Sequence, residues 1–329
     1  MAFTGDTLVH SPLWRRAALN AAGSGFDFRP MLERLWPVLD PVDLAVCHLE
    51  TPIAPEGEEL STAPVYGVPA EVADALVAAG YDRCSTASNH ALDRGPAGID
   101  RTVGTLESVG IEQSGMARTP EEIAPRRFDV AGVAVTHLSY TFSYNGIRPP
   151  PSEEWRSALI DPVRIVGDAG EARRLGAEIV IVSLHWGVEG RTAPSDWQRQ
   201  VAHEVTASGA VDLIVGHHAH VLQPVEQVNG TWVVFGLGNI LSNMPTGDQW
   251  PAASQDGAVA IVEFTVAADG SRAVAAPVLY PTWVDKNAGF VVRLVTADLA
   301  STEIDETTRQ RLEASLDRTR LVVGPFVVP

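Results

Sequence analysis

Gly216-His217-His218-Ala219-His220 is the densest group of metal-capable side chains in this sequence, and it follows the apolar run Leu213-Ile214-Val215. His218 and His220 are spaced by two. In an extended segment they point to the same side, and both imidazoles reach one ion. His217 then faces away and is the weakest of the three. Ser88-Asn89-His90-Ala91-Leu92-Asp93 is the second group. An Asn amide oxygen is an acceptable ligand for a hard cation. His90 beside it points elsewhere and stays free for proton transfer. Asp93, three positions on, orients that imidazole and fixes its tautomer. Asn89 could equally serve as a helix cap, a role that ligation does not exclude. Asp6, His48, Glu50, His185 and Asn239 each close a further apolar run. The chemistry these types share is a divalent ion beside groups that move protons.

Such residues converge only if the elements before them are strands of common direction. In α/β sheets ligands bind beyond the carboxyl ends of the strands. Apolar runs at 43–49, 81–87, 178–184, 211–215 and 231–235 read as strands, and 128–140 as a strand pair turning at Ala131-Gly132. Helical patterns cover 68–80, 98–110, 161–176, 195–208 and 305–316. Further strands are expected at 258–265 and 272–279. The alternation predicts a layered α/β protein. Two long aromatic, Pro-rich stretches, 141–157 and 242–256, read as binding loops. With Trp186, their Tyr144 and Trp250 are expected to line an apolar pocket for a bulky peptide side chain. Arg148 or Arg191 is expected to clamp a peptide carboxylate. Asn239 is counted with these substrate contacts.

Composition narrows the partners. The 41 Asp and Glu against 24 Lys and Arg leave a net charge of −17, with no basic stripe for nucleic acid. An acidic surface is also repelled by anionic membranes. A hydrophobic share of 45% and a mean hydropathy of +0.05 belong to a globular chain. No run approaches 18 apolar residues, and the opening Met1-Ala2-Phe3-Thr4 shows no signal-peptide pattern. The expectation is a cytoplasmic protein without a membrane anchor. Cys47 and Cys84 form no disulfide framework or zinc pattern and are expected to be buried free thiols.

In order along the chain, Gly5-Asp6, Leu49-Glu50, Ser88-Asn89-His90-Ala91-Leu92-Asp93, His185-Trp186-Gly187, Gly216-His217-His218-Ala219-His220 and Gly238-Asn239 resemble the CapA family. That family is named for poly-γ-glutamate capsule synthesis and is similar in fold to calcineurin-like metallophosphoesterases. The resemblance runs from Phe3 to about Asn243. It implies an α/β fold of the calcineurin-like metallo-dependent phosphatase type, a four-layer α/β/β/α sandwich. One domain over 1–329 is expected, with a β-rich extension and helix from about 258. The resemblance also implies Asp6, Glu50, Asn89, His185, His218 and His220 as ligands of a divalent ion, and His90 as acid/base.

Two departures shape the expected chemistry. Leu8 stands where calcineurin-like enzymes carry the His of Asp-x-His, and Cys47-His48-Leu49-Glu50 replaces Gly-Asp-x-x-Asp; the common CapA pattern has Asn where His48 stands. A single ion is therefore expected rather than a two-ion clamp. Carboxylate and amide ligands favour Ca²⁺, Mn²⁺ or Mg²⁺, and the histidines favour Mn²⁺, Fe²⁺ or Zn²⁺. Capsule-synthesis members are tied to the membrane. Anchorless members resemble the peptide epimerases of ribosomal peptide biosynthesis, lasso peptides included. The expected function on that resemblance is Cα epimerisation in a ribosomally made precursor peptide, with Asp6, His48, His90, Asp93 and His218 forming acid/base pairs. Hydrolysis of phosphoesters or γ-glutamyl polymers, and a capsule-assembly role, are the alternatives. The excess negative charge argues against a polyanionic substrate.

Overall fold

The structure, a computed structural model, describes residues 1–247 and 250–328. Its strands are β1 (Ala2–Leu8), β2 (Ala45–Leu49), β3 (Arg83–Ser85), β4 (Glu112–Ser114), β5 (Arg127–Val130), β6 (Val133–Thr141), β7 (Ile179–His185) and β8 (Leu213–His217). There follow β9 (Leu222–Val228), β10 (Thr231–Leu237), β11 (Asn239–Ser242), β12 (Asp256–Ile261), β13 (Phe264–Val266), β14 (Arg272–Val274), β15 (Val278–Asp285) and β16 (Val291–Leu294). One sheet has the order β16-β15-β12-β1-β2-β3-β4, with β11 also beside β1. A second has the order β5-β6-β7-β8-β10-β9, and β13 pairs with β14 in a small third sheet.

The alternation of side chains along each strand builds the layers. Ile179 and Ile181 of β7 point inward and pack with Phe3 and Val46 of the facing sheet. Val180 and Val182 point outward onto Val201 and Val205 of the helix Asp196–Thr206. On the far side, Leu49 of β2 packs under Leu13 and Leu76 of the helices Ser11–Asn20 and Val72–Ala79. The result is the four-layer α/β/β/α sandwich. Parallel strands covered on both faces read as near-continuous apolar runs, which is how β2, β7 and β8 look in sequence.

Local signals set the helix ends. Gly80 closes Val72–Ala79 at φ 101°, a left-handed conformation that glycine adopts without penalty. Ser195 and Gln198 form a reciprocal capping box at the start of Asp196–Thr206. The 258–265 and 272–279 runs each divide, giving β12 with β13 and β14 with β15. β12, β15 and β16 extend the first sheet in antiparallel fashion beyond β1. The last helix, Glu306–Val323, runs seven residues past the expected end and is tied to β12 by Arg318, which donates to both oxygens of Asp256 at 2.7 and 2.8 Å.

The cysteine expectation is corrected. Cys47 and Cys84 occupy paired positions of the adjacent parallel strands β2 and β3, with Cα atoms 4.4 Å apart, and are joined as a disulfide. Both side chains are buried, as expected. The sequence separation of 37 hides this pairing, because strand register and not chain proximity sets it. Of the 242–256 stretch, residues 248 and 249 lie outside the described residues. Among the described residues, no helix is long and apolar enough to cross a membrane.

Candidate metal centre

Strand register brings the polar residues together. Asp6 pairs with His48 of β2 on one side and Asn239 of β11 on the other. His185 pairs with His217 across β7 and β8 in the opposite sheet. The two sheets meet here through Gly5 and Gly238. A Cβ on Gly5 would lie 2.2 Å from the Gly238 carbonyl oxygen, so only glycine permits the approach. Gly238, at φ +66°, carries the chain from β10 in the second sheet to β11 in the first.

The histidine loop converges, but not by the route expected from an extended segment. Directly after β8, His218 and His220 take φ values of 83° and 55°. A tight turn, not strand alternation, aims the rings, and left-handed non-glycine residues of this kind concentrate at functional sites. The His218 backbone N–H donates to Asp6 Oδ2 at 2.9 Å, which helps hold the turn. His217 does not face away. Its ring is buried, stacks on His48 at 4.0 Å, and brings Nδ1 to 3.3 Å from Asp6 Oδ1.

Glu50 lies at the centre of the cluster. Its Oε1 is 3.9 Å from His185 Nε2 and 3.7 Å from His220 Nε2. His185 Nε2 meets Asn89 Oδ1 at 2.9 Å. Ligand-capable atoms of Glu50, His185 and His218 all lie within 4.8 Å of one another, as do those of Asp6, Glu50 and His220. Both Glu50 oxygens and His218 Nδ1 are buried without a hydrogen-bond partner among the described residues. A bare buried carboxylate is costly unless a charge offsets it. The donor set therefore fits a divalent cation, with Glu50, His185, His218 and Asn89 as its holders.

Electrostatics separate the two halves of the cluster. Burial alone would raise the Asp6 carboxyl, but His217 and His220 beside it outweigh that and hold it well below the usual carboxylate range. Burial alone would lower the His220 ring, but Glu50, Asp6 and Glu189 push it up to about 9. Asp6 and His220, 3.1 Å apart, are thus an ion pair at neutral pH. Burial drives Glu50 up and His218 down to about 3, and keeps His48 and His185 neutral. Deprotonated imidazoles at His185 and His218 are the form a metal requires.

The sequence pattern of the family described as "Bacterial capsule synthesis protein PGA_cap" matches residues 1–244. The chain belongs to this family. The PGA biosynthesis protein CapA of Bacillus subtilis is 36% identical over 163 residues, covering 48% of this chain and 41% of that protein. A probable polyglutamine synthesis accessory protein of Mycobacterium tuberculosis is 30% identical over 216 residues, 61% of this chain and 56% of the relative. The chain spans about half the length of the curated relatives it matches. Among solved structures, the calcineurin-like phosphoesterase YfkN of Bacillus subtilis superposes with a TM-score of 0.50 at 14% identity, over 97% of both chains. The NAD nucleotidase NadN of Haemophilus influenzae gives 0.51 at 12% identity, over 96% of this chain and 62% of that one. These likenesses show the fold alone.

Within this PGA_cap chain the remaining expected residues divide. His90 stands at the rim, its side chain 12% exposed, with Nδ1 2.7 Å from Asp93 Oδ2. Asp93 Oδ2 also accepts from the Tyr66 backbone N–H at 2.6 Å, so the carboxylate is fixed. His48 is corrected as an acid/base candidate. It is fully buried, and both ring nitrogens are engaged, by Ser85 Oγ at 2.8 Å and His185 Nδ1 at 2.9 Å. Trp186 is core: fully buried, stacked on Phe235, and donating to its carbonyl at 3.0 Å. Tyr144 is buried in a small cluster with Leu92, Ile99 and Met116. Asn239 is also buried and faces the protein, with its Oδ1 3.0 Å from His220 Nδ1 and its amide donating to the His220 and Ser254 carbonyls.

Trp250 reaches the rim, its ring 6.4 Å from that of His220. Arg148 and Arg191 are exposed, and neither side chain joins an ion pair among the described residues. Phe142, in the aromatic 141–157 stretch expected to line a pocket, lies 4.5 Å from the His218 ring. Two neighbours fall outside the sequence reading. Tyr66 lies edge-on to His90 at 4.6 Å. Glu189 has a carboxylate oxygen within 4.8 Å of His218 and His220. Glu189, four residues after His185, was the one with a visible signal: a lone acid beside a metal-type histidine.

Proposed function

We propose that this protein is a metal-dependent acid–base enzyme acting on a peptide, and that its reaction is inversion of a Cα centre. The observation that carries this reading is a pair of His/Asp couples, one after the first sheet and one that spans the two sheets. His90 with Asp93 comes from the loop after β3, and His220 with Asp6 is completed by the loop after β8. Epimerisation needs one group to take the Cα proton and another to return one on the other face. His90 Nε2 takes the proton; the Asp93 carboxylate holds the ring and stabilises the imidazolium that forms. His220, protonated at neutral pH, returns a proton from the other side. A divalent ion held by Glu50, His185, His218 and Asn89 would supply positive charge for the enolate-like oxygen of the neighbouring carbonyl. Phe142 and Trp250 at the rim offer apolar surface for the flanking side chain, and Arg148 and Arg191 offer charge for a peptide carboxylate.

Leu8 favours one ion over two. Its side chain is buried in the apolar layer beneath the helices, where it supplies no ligand. The Asp6–His220 half therefore keeps a proton where a two-ion enzyme holds its second metal. Hydrolysis of an amide or phosphoester is the second reading, favoured by the Asp6, Glu50 and His220 donors lying close enough for another cation. Incubation in D₂O separates the two. Epimerisation gives a peptide of unchanged length carrying one deuterium at an inverted Cα. Cleavage without deuterium at Cα contradicts it. The substrates to compare are a poly-glutamate chain and peptides encoded beside the gene.

A further inference from the structure

A buried hydrogen-bonded chain runs from the metal centre into the first sheet. His185 Nε2 meets Asn89 Oδ1 at 2.9 Å, His185 Nδ1 meets His48 Nε2 at 2.9 Å, and His48 Nδ1 meets Ser85 Oγ at 2.8 Å. Ser85 Oγ lies 3.3 Å from the Cys47 carbonyl oxygen. His48 and Ser85 are register partners across β2 and β3, so the sheet itself sets the spacing. His48, Ser85 and His185 are all fully buried, which leaves the chain no competing water.

We infer that His48 is a positioning residue that selects the tautomer of His185 for metal binding. Each ring carries one proton, so the chain has only two consistent directions. Asn89 is oriented with Nδ2 toward Asn145 Oδ1 at 3.3 Å, so its Oδ1 can only accept from His185. In the ion-free direction His185 Nε2–H donates to Asn89, His48 Nε2–H donates to His185 Nδ1, and Ser85 donates to His48 Nδ1. An ion needs the lone pair of His185 Nε2. The whole chain then reverses: His185 Nδ1–H donates to His48 Nε2, His48 Nδ1–H donates to Ser85, and Ser85 donates to the Cys47 carbonyl. Every nitrogen of the two rings keeps a partner in both directions, and no charge is created. The side chain at 48 must give a proton to His185 in one state and accept one in the other, which an imidazole does by changing tautomer. Ligating histidines generally depend on such a partner behind them.

The inference rests on His185 being a ligand, and the test keeps the two claims apart. Zn²⁺ is titrated into the full-length protein by calorimetry while histidine tautomers are followed by long-range ¹H–¹⁵N spectra. The expected result is a change from the Nε2–H to the Nδ1–H form at both His48 and His185. Binding without that change at His48 overturns the relay and leaves the metal centre standing. No binding overturns both. In variants, His48→Gln retains an acceptor for His185 Nδ1–H and should bind within a few-fold of wild type, whereas His48→Leu should weaken Zn²⁺ binding roughly 10- to 100-fold. Equal losses in the two variants, or none in His48→Leu, contradict the proposal. The wild-type spectra decide it even if a variant fails to fold.

Discussion

In the proposed reaction His90 is the central residue, because among the site imidazoles it combines a fixed carboxylate partner with an exposed edge. His90→Ala should lower turnover by at least about 10²-fold, the usual loss for a general acid or base. Metal content measured on the same preparation should remain that of wild type, since His90 belongs to none of the ligand sets. Loss of metal would instead make it a ligand. His220 sets the alkaline limit. Its pKa is raised to about 9, so its proton is present at neutral pH and lost as pH rises through that value. The rate of Cα exchange should therefore fall above pH 9, and the stabilisation from the Asp6–His220 pair should fade over the same window. That stabilisation is complete below the ordinary histidine value near 6.5. A pH–rate profile flat to pH 10.5 would contradict the assignment.

At the scale of elements, the close approach of β1 to the Gly238 turn holds the site together. A methyl at residue 5 meets backbone oxygen at 2.2 Å and cannot be absorbed by a side-chain rotation. Gly5→Ala should cost about 1–3 kcal/mol, read as a lowered melting temperature, and should weaken metal binding by separating Asp6 from the histidine loop. A variant that melts and binds as wild type would show that the approach is dispensable.

The same elements show what the sequence could and could not reveal. Strand ends at Glu50, Asn89 and His185 were legible because an apolar run followed by a polar residue needs only the strand period. The 128–140 hairpin was legible from Ala131-Gly132. What remained hidden depended on register between distant strands. The Cys47–Cys84 pairing, the stacking of His217 on His48 and the Ser85–His48–His185 chain arise from neighbours across strands or across the two sheets that no spacing encodes. Trp186 and Tyr144 misled for a related reason: an aromatic residue near a site reads alike whether it lines a pocket or fills the core. The turn that aims His218 and His220 was missed because left-handed backbone at histidine has no sequence signature.

Across the whole molecule, the net charge of −17 has a local counterpart. Asp6, Glu50 and Asp93 are buried at one end of the sandwich, with Glu189 at its rim, and His220 beside them is pushed up to about 9. One carboxylate, Asp6, is balanced by the His220 proton; Glu50 is left for a cation. In the proposed one-ion reading, Leu8 offers no ligand to a second cation. Elemental analysis of the purified protein, repeated after loading with Mn²⁺ or Zn²⁺ and gel filtration, is expected to give one ion per chain at pH 7. That ion should be lost in Glu50→Gln and retained in His90→Ala. Two ions per chain, or none, would contradict the account.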